Sequence, residues 1–257
     1  MKSAIFGLIS LVMVIGLGGA VTMSGSTTVL PLGVILSEEF KGGHVFVSGG
    51  GTGAGLTALA AGTTDIAMAS RVITKDEAAR LGTYTQTLIG YDGLILVTGS
   101  PVGITSISQE QLKKIYTGEY INWKDLNGSD IEIAAIGREG GSGTKDTFLS
   151  DIMHDKTAEC PGEKLICMSS AEVLQTVKQT PGAIGYVGFS YAKGVNVLAF
   201  NGVTPNEETI KHRTYPLARE LFLYSRQNTS DEVKNFTKFA VSTYGQNLTL
   251  EAGFIPL

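Results

Sequence analysis

Short apolar runs alternate with amphipathic stretches along most of this chain, the pattern that an α/β architecture writes into a sequence. Residues 45–47, 66–68, 94–97, 131–136, 183–187 and 221–224 have the length and the aliphatic make-up of strands. Helices are marked by their starts. Ser108 with Gln111, Ser169 with Glu172 and Thr74 with Glu77 have the spacing of a capping box, in which each side chain takes a backbone N–H of the other residue. Val233, Phe236, Phe239 and Ala240 form an apolar helical stripe that Gly245 is expected to end.

No long linker, internal repeat or low-complexity tract breaks this order. At 257 residues the chain has room for one large domain or two of ordinary size. Two lobes without a linker must be joined by strands that cross between them, and segments 90–99 and 215–226 suit that task. The expected division is residues 21–98 with 219–257 in a first lobe and 99–218 in a second, with the two crossings as a hinge.

Composition narrows the class. With 43% hydrophobic and 17% charged residues the chain can fill substantial cores, which excludes disordered and fibrous proteins. A formal net charge of -4 argues against a nucleic-acid partner, since binding to phosphate backbones wants a basic face. Any anion site must therefore be local. Lys2, the apolar run 4–17 and the small residues Gly18, Gly19 and Ala20 have the form of an export signal, with cleavage expected after Ala20; an uncleaved anchor is the alternative. Residues 1–20 are assigned to that signal, and the location is expected to be extracytoplasmic. Cys160 and Cys167 are the only cysteines. An oxidising exterior favours a disulfide between them, free thiols are the second reading, and a metal site with His154 is the third. Asn127, Asn228, Asn235 and Asn247 begin Asn-X-Ser/Thr sequons, as chance allows in a chain rich in Ser and Thr.

The chemistry is concentrated in three loops rich in Ser, Thr and Gly, each leading into a helical pattern. They are Gly25-Ser26-Thr27-Thr28, Ser48-Gly49-Gly50-Gly51-Thr52-Gly53, and Arg138-Glu139-Gly140-Gly141-Ser142-Gly143-Thr144. A helix start exposes unpaired N–H groups and the positive end of the helix dipole, so each loop is a ready anion cradle. Glycine lets the backbone approach closely, and Ser and Thr add hydroxyl donors. Arg138 contributes a fork that can hold two oxygens of a tetrahedral anion. Any one loop alone reads better as a turn with a helix cap. Three of them, one with an arginine, point to an oxyanion.

These residues resemble the extracellular phosphate-binding receptors of ABC-type phosphate uptake systems. The likeness is carried by Gly25-Ser26-Thr27-Thr28-Val29 with Pro31, Asp65-Ile66-Ala67-Met68-Ala69-Ser70-Arg71, Gly90-Tyr91-Asp92-Gly93, and Ile115-Tyr116-Thr117-Gly118 with Asn122-Trp123. It continues in the loop from Arg138 to Thr144, in Pro181-Gly182-Ala183-Ile184-Gly185-Tyr186-Val187, and in Tyr215-Pro216-Leu217-Ala218-Arg219. The resemblance implies an α/β, two-lobed type II periplasmic-binding-protein fold whose lobes close on a dehydrated phosphate. It places Thr27, Thr28, Thr52 and Ser70 on one side of the ligand and Arg138, Ser142, Gly143 and Thr144 on the other. It also implies permease subunits of an ABC transporter as partners, a monomer, and no cofactor.

Ser70 departs from the family pattern. The family places there an aspartate, whose carboxylate accepts the proton that phosphate carries and sulfate lacks; a neutral serine weakens that filter. Sulfate, molybdate, tungstate and arsenate therefore stay open as ligands, as does a surface sensor or adhesin on the same fold. Arg71 is expected either to reach the anion or to form a salt bridge, and Glu139 to orient or neutralise Arg138. An enzyme finds little support. Gly143-Thr144-Lys145 has the wrong order for a nucleotide-binding loop, no Gly-X-Ser-X-Gly is present, and His44, His154 and His212 lack metal spacing. The run Gly49-Gly50-Gly51-Thr52-Gly53-Ala54 fits a loose dinucleotide pattern that an exported protein has little use for.

Overall fold

A computed structural model describes residues 20–99 and 102–257, so the expected export signal lies, but for Ala20, outside the described residues. The first elements are β1 (Val21–Gly25), α1 (Leu30–Glu39), β2 (Val45–Ser48), α2 (Thr52–Ala61), β3 (Ile66–Ala69), α3 (Lys75–Leu81) and β4 (Tyr84–Thr98). The middle of the chain forms β5 (Ser106–Ile107), α4 (Gln109–Tyr116), β6 (Ala134–Arg138), α5 (Gly143–Thr147), β7 (Glu163–Cys167), α6 (Ser170–Gln179), β8 (Ala183–Gly188), β9 (Asn196–Phe200) and α7 (Glu207–Lys211). The chain closes with β10 (Ala218–Arg226), α8 (Asp231–Ala240) and α9 (Thr243–Glu251).

Two lobes share one strand. In the first lobe β1 lies between β2 and β3, parallel to both, and β10 runs antiparallel between β3 and β4. In the second, β8 lies between β4 and β6, β6 pairs parallel with β7, and β9 joins β4 to β5. β4 is long enough, at 15 residues, to serve both. Its residues up to Gly93 pair with β10, and from Leu94 onward its partners are β8 and β9. The return crossing comes where Leu94 donates to the Leu217 carbonyl at 2.9 Å. The C-terminal segment buttresses this hinge, with Tyr91 and Ile255 exchanging backbone hydrogen bonds of 2.7 and 3.0 Å.

Each lobe has its own core. Val21, Met23, Leu32, Leu36, Ile66, Met68 and Phe236 pack together in the first, with a smaller cluster around Leu56, Leu59 and Tyr224. In the second, Phe148, which follows α5, stacks on Tyr186 with ring centroids 4.4 Å apart and meets Tyr116 tilted at 4.5 Å. Tyr116 also donates to the Ile136 carbonyl at 3.0 Å, which ties this platform to β6. Trp123 is wholly buried and gives its indole N–H to the Gly182 carbonyl at 2.8 Å. Losing such a side chain costs about 3–5 kcal/mol.

Several expectations need correction. The boxes at Thr74 and Ser108 are complete, but Glu172 turns its carboxylate to the N–H of Met168 and not of Ser169, leaving Ser169 as a simple cap. The stripe of α8 does not run to Gly245. Ser242 accepts the Gly245 N–H at 3.1 Å and starts a separate helix, α9, in which Gly245 is internal. The strand expected from residue 131 begins at Ala134, because Ile131 and Ile133 are engaged with Trp123 and Ile121. Cys160 and Cys167 are free thiols. Cys160 closes a turn with Glu163, after which β7 carries the chain about 13 Å further to Cys167, beyond the ~7 Å Cα reach of a disulfide. Burial pushes the Cys160 thiol up to about 11. His44, His154 and His212 are exposed.

Candidate functional site

The three hydroxyl and glycine loops meet at the mouth between the lobes. Thr27 and Thr28 follow the end of β1 just before α1, Thr52 is the first residue of α2, and Ser70 follows β3. From the second lobe, Arg138 ends β6 and Ser142 caps α5 by accepting the Lys145 N–H at 3.3 Å; Gly143 and Thr144 are the first two residues of that helix. All eight positions are buried, seven as polar side chains and Gly143 as backbone. Seven come from the three loops and Ser70 from the family motif at the end of β3, the outermost 117 positions apart, and the fold brings all of them into one cluster.

The lobes touch directly across this cluster. Thr28 Oγ1 lies 3.0 Å from Thr144 Oγ1, and Arg138 Nη2 donates to Thr27 Oγ1 at 3.2 Å. The Gly53 N–H donates to the Gly141 carbonyl at 2.9 Å, joining the second loop to the third by backbone alone. Gly51, the residue before α2, has φ of 94°, a left-handed value that a side chain resists. At Gly143 a Cβ would stand 2.4 Å from Thr52 Oγ1 and 2.7 Å from Ser70 Oγ. The third loop can approach this closely only because that position is glycine.

Charge is held in place by carboxylates. Glu139 grips Arg138 in a two-point contact, Nε to Oε2 at 2.8 Å and Nη2 to Oε1 at 2.9 Å, which leaves Nη1 to reach Ser170 Oγ at 3.2 Å. Arg71 bridges the lobes. It is paired with Glu77 on its own side, and its Nε meets Asp146 of α5 at 2.6 Å. Burial works against the Arg71 charge, but the hydrogen bonds and charges of Glu77 and Asp146 outweigh it and raise its basicity. Because this bridge is partly exposed, its removal in Arg71→Met should speed ligand release only about two- to fivefold in stopped flow. High salt should have the same effect on the unaltered protein.

Four residues that the sequence reading gave no role complete the cluster. Ser170, the first residue of α6, bonds Thr28 Oγ1 at 3.3 Å as well as Arg138. Tyr191 donates its phenol to the Thr27 carbonyl at 2.7 Å, and burial pushes that phenol up to about 12, so it stays protonated. Asp92 and Arg219 form a second buried ion pair in the hinge, 2.8 Å from Oδ2 to Nη2. The Ser169 cap signal stood beside Ser170, and Asp92 and Arg219 lay inside motifs that carry the family resemblance. Ser70 Oγ is buried and has no hydrogen-bond partner. Buried hydroxyls are rarely left so, which makes Ser70 Oγ a candidate to bond a ligand held in the cluster. Outside the sealed cluster, a cleft of about 710 Å³ opens along Arg71, Asp146, Lys156, Arg213 and Arg219.

Comparison with known proteins agrees with this architecture. A family model described as PBP superfamily domain matches residues 16–243. The phosphate-binding protein PstS of Borreliella burgdorferi is 34% identical over 91% of this chain and 89% of its own length. The PstS of Bacillus subtilis is 30% identical over 93% and 81%. Among solved structures, a Clostridium perfringens chain with bound phosphate superposes with a TM-score of 0.88 at 30% identity, covering 93% of this chain and all of that one. An ABC-type phosphate transport receptor from Vibrio cholerae gives 0.77 at 30% identity, covering 92% of this chain and all of that one. With its two lobes sharing a hinge strand and its loops meeting in a sealed polar cluster, the chain belongs to the periplasmic-binding-protein superfamily and, within it, to the PstS-type phosphate-binding proteins.

Proposed function

We propose that this protein captures inorganic phosphate between its lobes outside the cytoplasm and delivers it, as a monomer, to the permease subunits of an ABC importer. Its role is binding, not catalysis. The observation that carries this reading is the sealed cluster of hydroxyls, helix starts and one guanidinium contributed by both lobes, a set of donors that matches a tetrahedral anion stripped of water. Similarity to a chain solved with bound phosphate supports the same ligand. In this reading Thr27, Thr28, Thr52 and Ser70 meet the anion from the lobe of residues 21–98 and 219–257. Arg138, Ser142, Gly143 and Thr144 meet it from the lobe of residues 99–218, and closure about the hinge completes the site. An extracytoplasmic location is supported by the apolar N-terminal run; among the described residues no helix is long and apolar enough to cross a membrane.

Ser70 favours a second reading, in which the site takes sulfate or another tetrahedral oxyanion as well. Its hydroxyl is neutral where a carboxylate would repel an unprotonated dianion. Calorimetric titration of the purified protein with phosphate and with sulfate separates the two: phosphate is expected to bind more tightly, and equal affinity would overturn the phosphate assignment. Ser70→Asp is expected to raise the preference for phosphate over sulfate by about tenfold or more, since an unprotonated ligand would then face a buried charge. No gain in that ratio would mean that position 70 does not face the ligand.

A further inference from the structure

The two buried arginines act on the site in parallel. Arg138, braced by Glu139, donates to Thr27 from the first lobe and Ser170 from the second. Arg219, braced by Asp92, donates to Thr144 of the second lobe from Nη1 at 3.1 Å and to Thr28 of the first from Nη2 at 3.5 Å. Its Nε and Nη2 both bind Asp92 Oδ2, at 3.0 and 2.8 Å. Asp92 is itself fixed, with its other oxygen taking the Phe189 N–H at 2.8 Å, and it is wholly buried. Four of the five N–H bonds of Arg219 are thus engaged within the protein.

A hydroxyl has one proton to give and two lone pairs to receive with. When a guanidinium N–H occupies a lone pair, the hydroxyl is biased to act on any further neighbour as a donor. The structure assigns to Arg219, held by Asp92, the role of a positioning and specificity residue. By filling an acceptor site on each of Thr28 and Thr144, one hydroxyl from each lobe and 3.0 Å apart, it leaves their protons as what they have to offer, so that an oxyanion bound between them meets donors. The inference rests on the reading of the site as a phosphate receptor and deepens it. It predicts a site that favours the dibasic ion, rich in lone pairs, with Ser70 as the hydroxyl left free to accept the ligand's remaining proton. It also links the hinge to the ligand, since Asp92 stands on β4, which serves both lobes, and Arg219 stands opposite it at the start of β10, just after the return crossing.

The test removes both charges together, because Arg219→Met alone would strand a buried carboxylate. In the Asp92→Asn/Arg219→Met double variant, Thr28 and Thr144 regain the freedom to accept. Calorimetry with inorganic phosphate, run well below and well above its second ionisation, is expected to show affinity lost in both conditions. The loss should be at least about fivefold greater for the dibasic ion, a skew that a merely structural role would not produce. Thr144→Val should cost less in this background than in the unaltered protein, by about fivefold or more. Arg219→Lys keeps a charge beside Asp92 and so protects the fold, but one ammonium cannot serve both hydroxyls. It should show the same skew in smaller degree, and it decides the matter if the double variant does not fold. Equal losses in both conditions with additive effects of Thr144→Val would overturn the inference while leaving phosphate as the ligand. An unaltered protein that binds no phosphate in either condition would instead overturn the phosphate reading, and this inference with it.

Discussion

Arg138→Ala is expected to weaken phosphate binding at least about a hundredfold. The side chain is 1% exposed, so its charge acts on the ligand with little screening by water. Each hydrogen bond from it to a charged oxygen contributes roughly 1.5–3 kcal/mol. Two such bonds amount to about 3–6 kcal/mol, or ~10²- to 10⁴-fold in Kd. The substitution also strips Glu139 of its partner and leaves an uncompensated carboxylate at the mouth of the site, which repels an anion. Arg138→Ala/Glu139→Gln removes that second effect and should recover part of the loss without restoring affinity. Calorimetry on both variants checks this, and unchanged affinity in Arg138→Ala would remove the residue from the site.

Gly143→Ala should separate closure from folding. An added methyl would collide with Thr52 and Ser70, which belong to the opposite lobe, and with nothing else within 3 Å. While the lobes are apart that methyl meets no such obstacle, and alanine suits the first turn of a helix better than glycine does. The melting temperature without ligand should therefore stay the same or rise slightly. Overpacking of about 1–3 kcal/mol in the closed state should raise Kd about 5- to 150-fold, because a ligand that needs the closed form is penalised by its scarcity. Small-angle scattering with saturating phosphate should show a less compact particle than the unaltered protein. Full affinity with normal compaction would mean that the lobes do not need to come this close.

What the sequence disclosed follows from which forces are local. Loops of Ser, Thr and Gly at helix starts are local signals that hold seven of the eight residues assigned to the site; Ser70 came from the family resemblance alone, and all eight enter one buried cluster. Ser170 was hidden because its partners are set by tertiary placement: it meets Thr28 across 142 positions, while its neighbour Ser169 already explained the helix start. Asp92 and Arg219 were visible as parts of motifs, but their pairing spans 127 positions and no local pattern states it. Four strands went unread, β1, β5, β7 and β9, and two of them have weak local signals. β7 carries charged residues and exposed apolar ones on an outer edge, and β5 is two residues long. Residues 131–133 were read as strand because Ile131 and Ile133 continue an aliphatic run, yet their backbone groups serve the turn around Trp123 instead.

The place of β10 between β3 and β4 bears on how the molecule is made. A chain that emerges from its N-terminus presents β1 to β4 early, but the strand that must separate β3 from β4 is not available until residue 226 has appeared. The middle lobe, whose strands all precede residue 201, can assemble while the outer one still waits with an open seam. During synthesis that seam leaves β3 and β4 as unpaired edges, the kind of surface that chaperones shield and that aggregates recruit.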